Sequence, residues 1–460
     1  MIVKQRKMPD PNGLTASLAK FVSGLDSSDL PKKACEIALT GFIDCVAVLH
    51  AGWDAPAARH MRDVARAGAW GDPWQSSGLP GEDEALHLAI AAHALDFDDT
   101  AIAGHPSAVL IPAIIAELKA NPKSGLDAIA AWIAGYEVWA ELDAREPDPL
   151  HGKGWHPSAV YGPPAAAAAI ASLRGYDAVK TQAALSIASA MSGGLVAQFG
   201  TWTKPWQLAR AAQAGHIAAF LAASGMEAAP DALEHPRGFL AALSPHDRAR
   251  LDGPRAPDLH VLQQGLNIKL YPVCYAMHRA LNAVTELVEA HDVEPAAVAA
   301  VNVEIGATQA GLLHYRQPET VAQARFSLPF AVAAILLRRK CGLGELEEDF
   351  ILSGPVRALT PKVDMTLLEE RSADEPAHSP WDRVTIRLND GRELVSRKVD
   401  FPIGHFRNPA QPDALKRKFD DCLSGRLPPR RANALYQSLA DLPALASTTS
   451  LFEIREFHDA

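Results

Sequence analysis

The sequence Gly-His-Pro-Ser-Ala-Val at Gly104–Val109 and its near copy Trp-His-Pro-Ser-Ala-Val at Trp155–Val160 each precede an apolar, helix-forming run. Proline suits the first position of a helix, where no N–H is needed, and it disfavours helical conformation in the residue before it. Each pattern therefore predicts a helix that begins directly after a histidine. Because a helix N-terminus presents free N–H donors and partial positive charge, His105 and His156 are candidates for an anion site.

Two further prolines repeat this arrangement with other polar side chains. The sequence Thr203-Lys204-Pro205 opens one helical run, and Lys269-Leu270-Tyr271-Pro272 opens the run that carries His278. Several predicted helix starts thus bear Lys, His or Tyr. Since lysine can pair with a carboxylate, the set favours a pocket for a small molecule rich in carboxylate groups.

The composition excludes several classes of protein. A formal charge of −10 over 460 residues argues against a nucleic-acid surface, which needs concentrated Lys and Arg. The five cysteines form no C-x-x-C pair, which favours a reducing compartment and speaks against a zinc or iron–sulfur site. We find neither an apolar signal core nor a charge-free run of about 20 apolar residues. We therefore expect a cytoplasmic protein without a membrane span or a metal.

Hydrophobic patterning divides the chain into three regions. The pattern up to residue 267 is helical and dense in alanine, which implies closely packed helices. After that point the alternation through Val301, Val303 and Ile305 indicates a strand, and Asp390-Gly391 between short apolar runs predicts a hairpin. We predict a mainly α fold, in which residues 1–267 and 406–460 form a large all-helical domain and residues 268–405 an inserted, smaller α+β lid domain.

The segment HALDFDDT at His93–Thr100 is predicted to end a helix that begins at Glu84. Helical spacing would place His93, Asp96 and Thr100 on one face, with Asp98 and its neighbour pointing elsewhere. Either the segment is a solvated helix end, where Asp and Thr are common, or Asp96 and Thr100 face a cavity shared with His105 at the next helix start.

Seven blocks of the sequence together resemble the MmgE/PrpD family and occur in the family's order. They are HALDFDDT at His93–Thr100, HPSA at His105–Ala108, GWHPSAVYG at Gly154–Gly162, FGTWTKP at Phe199–Pro205, PRGFL at Pro236–Leu240, KLYPVCYAMHRA at Lys269–Ala280 and QARFSLPFAVA at Gln323–Ala333. The resemblance implies a helical domain with an α/β lid, a site between the two, a homodimer and no required cofactor.

The resemblance also implies a set of site residues. Carried over onto this sequence, the family's decarboxylase-type site falls on Asp96, Thr100, His105, His156, Lys204 and His278, with a lid hydroxyl at Tyr315. One of the first two histidines would be the acid/base group, and the lysine would hold a carboxylate. Asp96 would orient a histidine, Thr100 would donate a hydrogen bond to the substrate, and His278 would be a second acid. Further substrate-binding candidates are Lys269, Tyr271 and Arg325.

These residues suit a reaction that moves a proton at a carbon next to a carboxylate, because histidine titrates near neutrality and cations stabilise enolate-like charge. We expect a cofactor-independent lyase, either a dehydratase or a decarboxylase, acting on a small di- or tricarboxylic acid such as 2-methylcitrate or cis-aconitate. One alternative is an epimerase of an imino- or amino-dicarboxylate, which would use the same acid/base pair. Another is a non-catalytic carboxylate-binding helical protein, in which each histidine only caps its helix.

Overall fold

The computed structural model describes residues 12–66, 81–244, 248–373 and 375–449. Within these ranges the protein is mainly α-helical, with one small sheet in its second half. The predicted fold class is therefore confirmed. The helices before the lid are α1 (Leu14–Gly24), α2 (Lys32–Gly52), α3 (Pro56–Arg66), α4 (Glu82–His93), α5 (Pro106–Ala120), α6 (Gly125–Ala144), α7 (Pro157–Leu173), α8 (Ala178–Ser189), α9 (Thr203–Ala223), α10 (Phe239–Leu243) and α11 (His260–Gln264).

Small side chains allow the central helices α5, α7 and α9 to pack on one another. The alanines of α7 from Ala165 to Ala169 have no exposed surface, and a Cβ added at Gly215 of α9 would lie 2.7 Å from the Ala166 carbonyl carbon. His105 and His156 are the N-cap residues of α5 and α7, as the two His-Pro patterns predict. Because these helices are in contact, their N-terminal side chains can lie at a single site.

Helix α2 is long and apolar enough to cross a membrane, with a mean hydropathy of 1.6 in its most apolar window. That window is 78% buried inside the protein, where α2 packs against α4. A core helix of a globular domain passes the same hydropathy test, so the burial accounts for the apolar composition.

The α+β region that follows, which we call the lid, has its own apolar core. Its elements are α12 (His278–His291), β1 (Val298–Gly306), α13 (Ala307–Leu312), α14 (Val321–Ala324), α15 (Leu328–Arg338), α16 (Glu348–Ile351), α17 (Gly354–Leu359), β2 (Val363–Leu368), β3 (Arg383–Leu388) and β4 (Glu393–Val395). The strand order is β2-β1-β3-β4, with β1 parallel to β2 and antiparallel to β3. The buried face of the sheet includes Val301, Val303 and Ile305 and joins α12 and α15 in that core.

The chain then returns to the helical region through α18 (Ala414–Leu423) and α19 (Pro429–Ala440). Helix α18 packs on α2, and its Phe419 belongs to the helical core rather than to the core of the lid. In the lid, Phe330 and Val384 belong to the separate second core. The exact boundaries at residues 267 and 405 remain a prediction.

Two elements differ from the sequence-based expectation. Helix α4 ends at His93 rather than Thr100, because Asp96 adopts a left-handed conformation with φ 51° that cannot continue a helix. The strand after the predicted Asp390-Gly391 turn covers only Glu393–Val395, although the alternating pattern of the sequence continues to Val399.

Candidate active site

The loop between α4 and α5 carries most of the charged groups of the site. His93 ends α4 and His105 precedes α5, while Asp96, Asp98 and Asp99 lie between them and are at most 3% exposed. The placement of His93, Asp96 and Thr100 on one helical face was therefore wrong, because only His93 belongs to α4 and the loop positions Asp96 and Thr100. The loop is held near its middle, since Thr100 pairs with Asn267 in both directions through backbone hydrogen bonds.

The Asp98 carboxylate bridges two histidines. Its Oδ1 lies 3.0 Å from His93 Nδ1, and its Oδ2 lies 2.9 Å from His105 Nδ1. These two histidines hold the pKa of the Asp98 carboxyl well below its usual range, although burial opposes them. The expectation that Asp98 points away from the site was wrong. Asp98, rather than Asp96, orients His105.

Two lysines surround the Asp96 carboxylate. Lys204 Nζ donates to Asp96 Oδ1 at 2.8 Å and to His93 Nε2 at 2.8 Å. Lys269 Nζ donates to the same Oδ1 at 3.0 Å and to the Asp96 carbonyl oxygen at 2.7 Å. Burial raises the pKa of the Asp96 carboxyl, but the two ammonium groups outweigh it and leave the pKa far below its ordinary value. Asp96 is thus ionised and holds both lysines in place.

Of the two histidines that Asp98 bridges, His105 is the one whose second ring nitrogen is available for chemistry. Its Nδ1 is engaged by Asp98 and by the Asp99 carbonyl oxygen at 3.2 Å, while Nε2 lies 3.7 Å from Asp96 Oδ1, too far for a hydrogen bond. Its side chain is 12% exposed, whereas that of His93 is 0% exposed. Burial lowers the pKa of His105 below its ordinary 6.5 and the two lysines add to this, while Asp98 opposes them. In the protein without substrate, the His105 imidazole is therefore neutral at pH 7, with Nε2 unprotonated.

The protonation of His156 can be assigned from its neighbours. Gln207 Oε1 accepts from the Leu195 N–H at 2.9 Å and Gln207 Nε2 donates to the Leu195 carbonyl at 3.0 Å, which fixes the orientation of the amide. The same Nε2 lies 2.8 Å from His156 Nδ1, so this ring nitrogen is the acceptor. The proton of neutral His156 then resides on Nε2, which is buried and has no partner among the described residues.

The lid contributes further polar groups near Asp96. His278 begins α12, with Nε2 3.2 Å from the Val273 carbonyl oxygen and Nδ1 lacking a partner within the described ranges. Arg325 is buried next to Asp96, and burial lowers the pKa of its guanidinium to about 10. Tyr315 donates to the Phe199 carbonyl oxygen at 3.2 Å, next to the loop that leads to Lys204. These lid residues lie where the sequence predicts a site between the helical domain and the lid.

Two of the predicted substrate-binding residues lie at the edge of the cluster, where the Tyr271 ring is 5.2 Å from that of His278. The Tyr271 hydroxyl is bound within the lid, accepting from Asn282 Nδ2 at 3.1 Å and lying 3.4 Å from Thr285 Oγ1. Thr100 is buried at the edge of the loop, where its backbone pairs with Asn267. The structure thus brings together Asp96, His105, His156, Lys204, Lys269, His278 and Arg325.

A metal ion would have to compete with the lysines. Ligand atoms of His93, Asp96, Asp98 and His105 lie within 4.8 Å of one another, a spacing that could hold a cation. However, His93 Nε2 and Asp96 Oδ1 already accept hydrogen bonds from ammonium groups. The two nearby positive charges also disfavour another cation, so these donors fit a lysine-paired anion site better than a metal centre.

Sequence reasoning left His93, Asp98 and Gln207 out of the predicted site. A signal existed for Gln207, which lies three residues after Lys204 and therefore on the same face of α9. No such spacing rule applies to Asp98, because its direction depends on the left-handed turn at Asp96.

Comparison with known proteins agrees with this architecture. The MmgE/PrpD N-terminal domain matches residues 16–252, and the MmgE/PrpD C-terminal domain matches residues 271–442. The chain is 30% identical to cis-aconitate decarboxylase of Mus musculus over 370 residues, covering 76% of this chain and 73% of the relative. It is 26% identical to cis-aconitate decarboxylase of Aspergillus terreus over 476 residues, which is 96% of each chain.

A helical domain with an α+β lid, and buried histidines and lysines where the two meet, define a lyase-type enzyme. The chain belongs to the MmgE/PrpD family.

Proposed function

We propose that the protein is a cofactor-independent decarboxylase of a small unsaturated tricarboxylic acid related to cis-aconitate. The observation that carries the proposal is the state of His105, whose Nδ1 is held by Asp98 at 2.9 Å while Nε2 remains free beside two lysines. The cis-aconitate decarboxylases among its relatives support this choice of reaction.

The charges around Asp96 suit binding of an anionic substrate. The buried cations Lys204, Lys269 and Arg325 outnumber the ionised carboxylates Asp96 and Asp98. An anion that enters this region gains from the excess positive charge, and more so because these groups are buried. We infer that the cations bind the carboxylates that stay on the substrate through the reaction.

In the proposed reaction, the bond between carbon and the departing carboxylate breaks and its electron pair forms a new double bond. The electron pair of the old double bond takes a proton at the carbon next to a remaining carboxylate. His105 Nε2 delivers this proton, having taken it from solvent when the anionic substrate raises the stability of the imidazolium. The His156 Nε2–H group donates a hydrogen bond to the carboxylate that carries the developing charge.

The test is proton NMR in D2O with cis-aconitate, 2-methylcitrate and iminodisuccinate offered separately. We expect cis-aconitate to lose one carboxyl group and its product to carry deuterium at the protonated carbon. New vinyl signals from 2-methylcitrate alone would instead establish a dehydratase. Deuterium entering iminodisuccinate without a new product would establish an epimerase.

The catalytic role of the histidine is tested with the variant His105→Asn, which keeps a polar side chain but no titratable nitrogen. We expect turnover to fall by about 10²- to 10⁴-fold, the usual contribution of a general acid/base. His291→Asn, at the exposed end of α12, is the matched control and should keep full activity. Full activity of His105→Asn would refute the assignment.

A further inference from the structure

Among the buried polar atoms that lack hydrogen-bond partners within the described residues, three lie close to one another outside the cluster around Asp96. They are His151 Nδ1, the Tyr275 hydroxyl oxygen and His378 Nδ1. A buried polar group without a hydrogen bond is unfavourable, so such atoms are normally satisfied by a ligand or by water. None of the three is used in the reaction proposed above.

The three side chains come from both the helical domain and the lid, and they continue the inner site outward. His151 lies in the 3-10 turn Leu150–Lys153 and contacts the Phe199 ring at 6.1 Å, which in turn contacts His156 at 5.0 Å. On the lid, the Tyr275 ring lies 5.1 Å from that of His278 and 6.1 Å from that of His378. His378 is also near enough to His151 to contribute to the lowering of the His151 pKa.

A cavity of about 340 Å³ lies directly outside this group, between the helical domain and the lid. His378 lies in its lid wall, and Pro149, two residues before His151, lies in the opposite wall. His378 thus lines the cavity and contacts the Tyr275 ring, which in turn contacts the His278 ring, so the outer group connects the cavity to the inner cluster.

The chemistry of the outer group differs from that of the inner cluster because it carries little net charge. Burial lowers the pKa of His151 to about 3 and that of His378 to about 4, so both imidazoles are neutral at pH 7. Glu375 lies 4.0 Å from His378 Nδ1, but its carboxylate is already paired with Arg279 at 2.7 Å and His405 at 3.1 Å. Neutral donors and acceptors match an uncharged polar group.

We propose that His151, Tyr275 and His378 form an outer subsite that binds an uncharged hydrogen-bonding group of the substrate, such as a hydroxyl, while the cations around Asp96 bind a carboxylate. The binding of a carboxylate by the cations around Asp96 rests on the proposed function. The binding of an uncharged group by the outer subsite rests on the unpartnered atoms and on the position of the cavity. The subsite would select among small acids by the group that they carry away from the reacting carbon.

The test is calorimetric binding of three unreactive acids that differ only at their third carbon: glutarate, 3-hydroxyglutarate and propane-1,2,3-tricarboxylate. We expect the wild-type protein to bind 3-hydroxyglutarate about 3- to 15-fold more tightly than glutarate, the range for one uncharged hydrogen bond. Tyr275→Phe and His378→Gln should each reduce this preference and leave the affinity for glutarate unchanged. Tyr436→Phe and His291→Gln, outside the site, should preserve it.

Equal binding of glutarate and 3-hydroxyglutarate by the wild type would overturn the proposal, and so would a preference that survives both variants. The proposal would also be overturned if only propane-1,2,3-tricarboxylate bound more tightly than glutarate, because the subsite would then select a charged group. Since binding is measured without turnover, the hydroxyl preference can hold even if cis-aconitate is not decarboxylated. In that case only the proposed reaction fails.

Discussion

At the residue scale, the proton position on His156 is set by an amide side chain. Gln207 can donate but not accept through the nitrogen that faces His156, so the ring presents Nε2–H to the site. We predict that Gln207→Glu, nearly isosteric, moves the proton to Nδ1 and removes this donor. Turnover should fall by about 10²- to 10³-fold, as for loss of one donor to developing charge. Gln437→Glu on the exposed face of α19 is the control, and steady-state kinetics is the measurement.

The Asp98 carboxylate controls His105 in a comparable way. Asp98→Asn would keep the shape of the side chain but present a poorer acceptor to His93 Nδ1 and His105 Nδ1, which favours the wrong tautomer of either ring. We expect kcat to fall by about 10²- to 10⁴-fold, with a smaller change in KM. Circular dichroism would verify that the variant folds. A variant with normal kcat would show that Asp98 is only structural.

The pH dependence distinguishes the proposed decarboxylase from the alternatives. Because burial lowers the pKa of His105 below 6.5, the neutral form predominates in the free enzyme above that pH. A reaction that needs the imidazolium should therefore show kcat/KM rising as the pH falls from 8 to 6. A reaction that needs the neutral base should show kcat/KM constant over that range and falling only at lower pH. Titration of the substrate by NMR provides the correction for its own ionisation.

At the scale of elements, the loops that precede α5 and α9 turn sharply at residues with positive φ. The α4–α5 loop turns sharply at three residues with positive φ, namely Asp96, Ile102 and Ala103. The loop before α9 turns at Gly200, where φ is +82°. Such conformations are unfavourable for most side chains and persist because the surrounding contacts impose them.

Gly200 also permits the contact between this loop and the lid. A Cβ at this position would lie 2.7 Å from the Tyr315 hydroxyl oxygen and would clash with the ring. We predict that Gly200→Ala displaces Tyr315 and raises KM about tenfold or more, by disturbing closure of the lid on the substrate. Gly225→Ala is the matched control, since Gly225 has a similar φ of +88° but no heavy atom within 4 Å of the added Cβ. If both substitutions raised KM equally, the rise would be due to backbone strain and not to displacement of Tyr315.

At the scale of the whole molecule, two apolar cores meet at the site, and the lid is inserted between helices of one core. Helix α18, which follows the lid, reaches back to the α4–α5 loop, where Lys418 Nζ donates to the Phe97 carbonyl oxygen at 2.6 Å and pairs with Asp44 at 2.6 Å. Residues from both the first and the last thirds of the chain therefore hold the loop. These contacts join the two parts of the helical domain that the lid separates in sequence.

The homodimer remains a prediction. We propose that its subunit interface includes an exposed apolar surface beside Lys204. Leu195, Trp202 and Trp206 are 49%, 52% and 40% exposed, and aromatic residues are enriched at protein interfaces. We expect light scattering to give twice the 49.2 kDa chain mass for the wild type and the single mass for the double variant Trp202→Glu/Trp206→Glu. Val395→Glu, an exposed apolar site on the lid, should remain dimeric. A wild-type monomer at working concentration would exclude the dimer.

The sequence by itself determined the helical class, the α+β lid and the placement of His105, His156 and Lys204 at helix starts, because proline and hydrophobic period act locally. Only the tertiary structure decided which groups meet. The bridge from Asp98 to His93 and His105 depends on a left-handed turn, and the amide of Gln207 is oriented by the backbone of Leu195 in the preceding loop. Buried charges such as Asp96 and Lys269 are partnered across 173 residues, and no local pattern encodes such a contact.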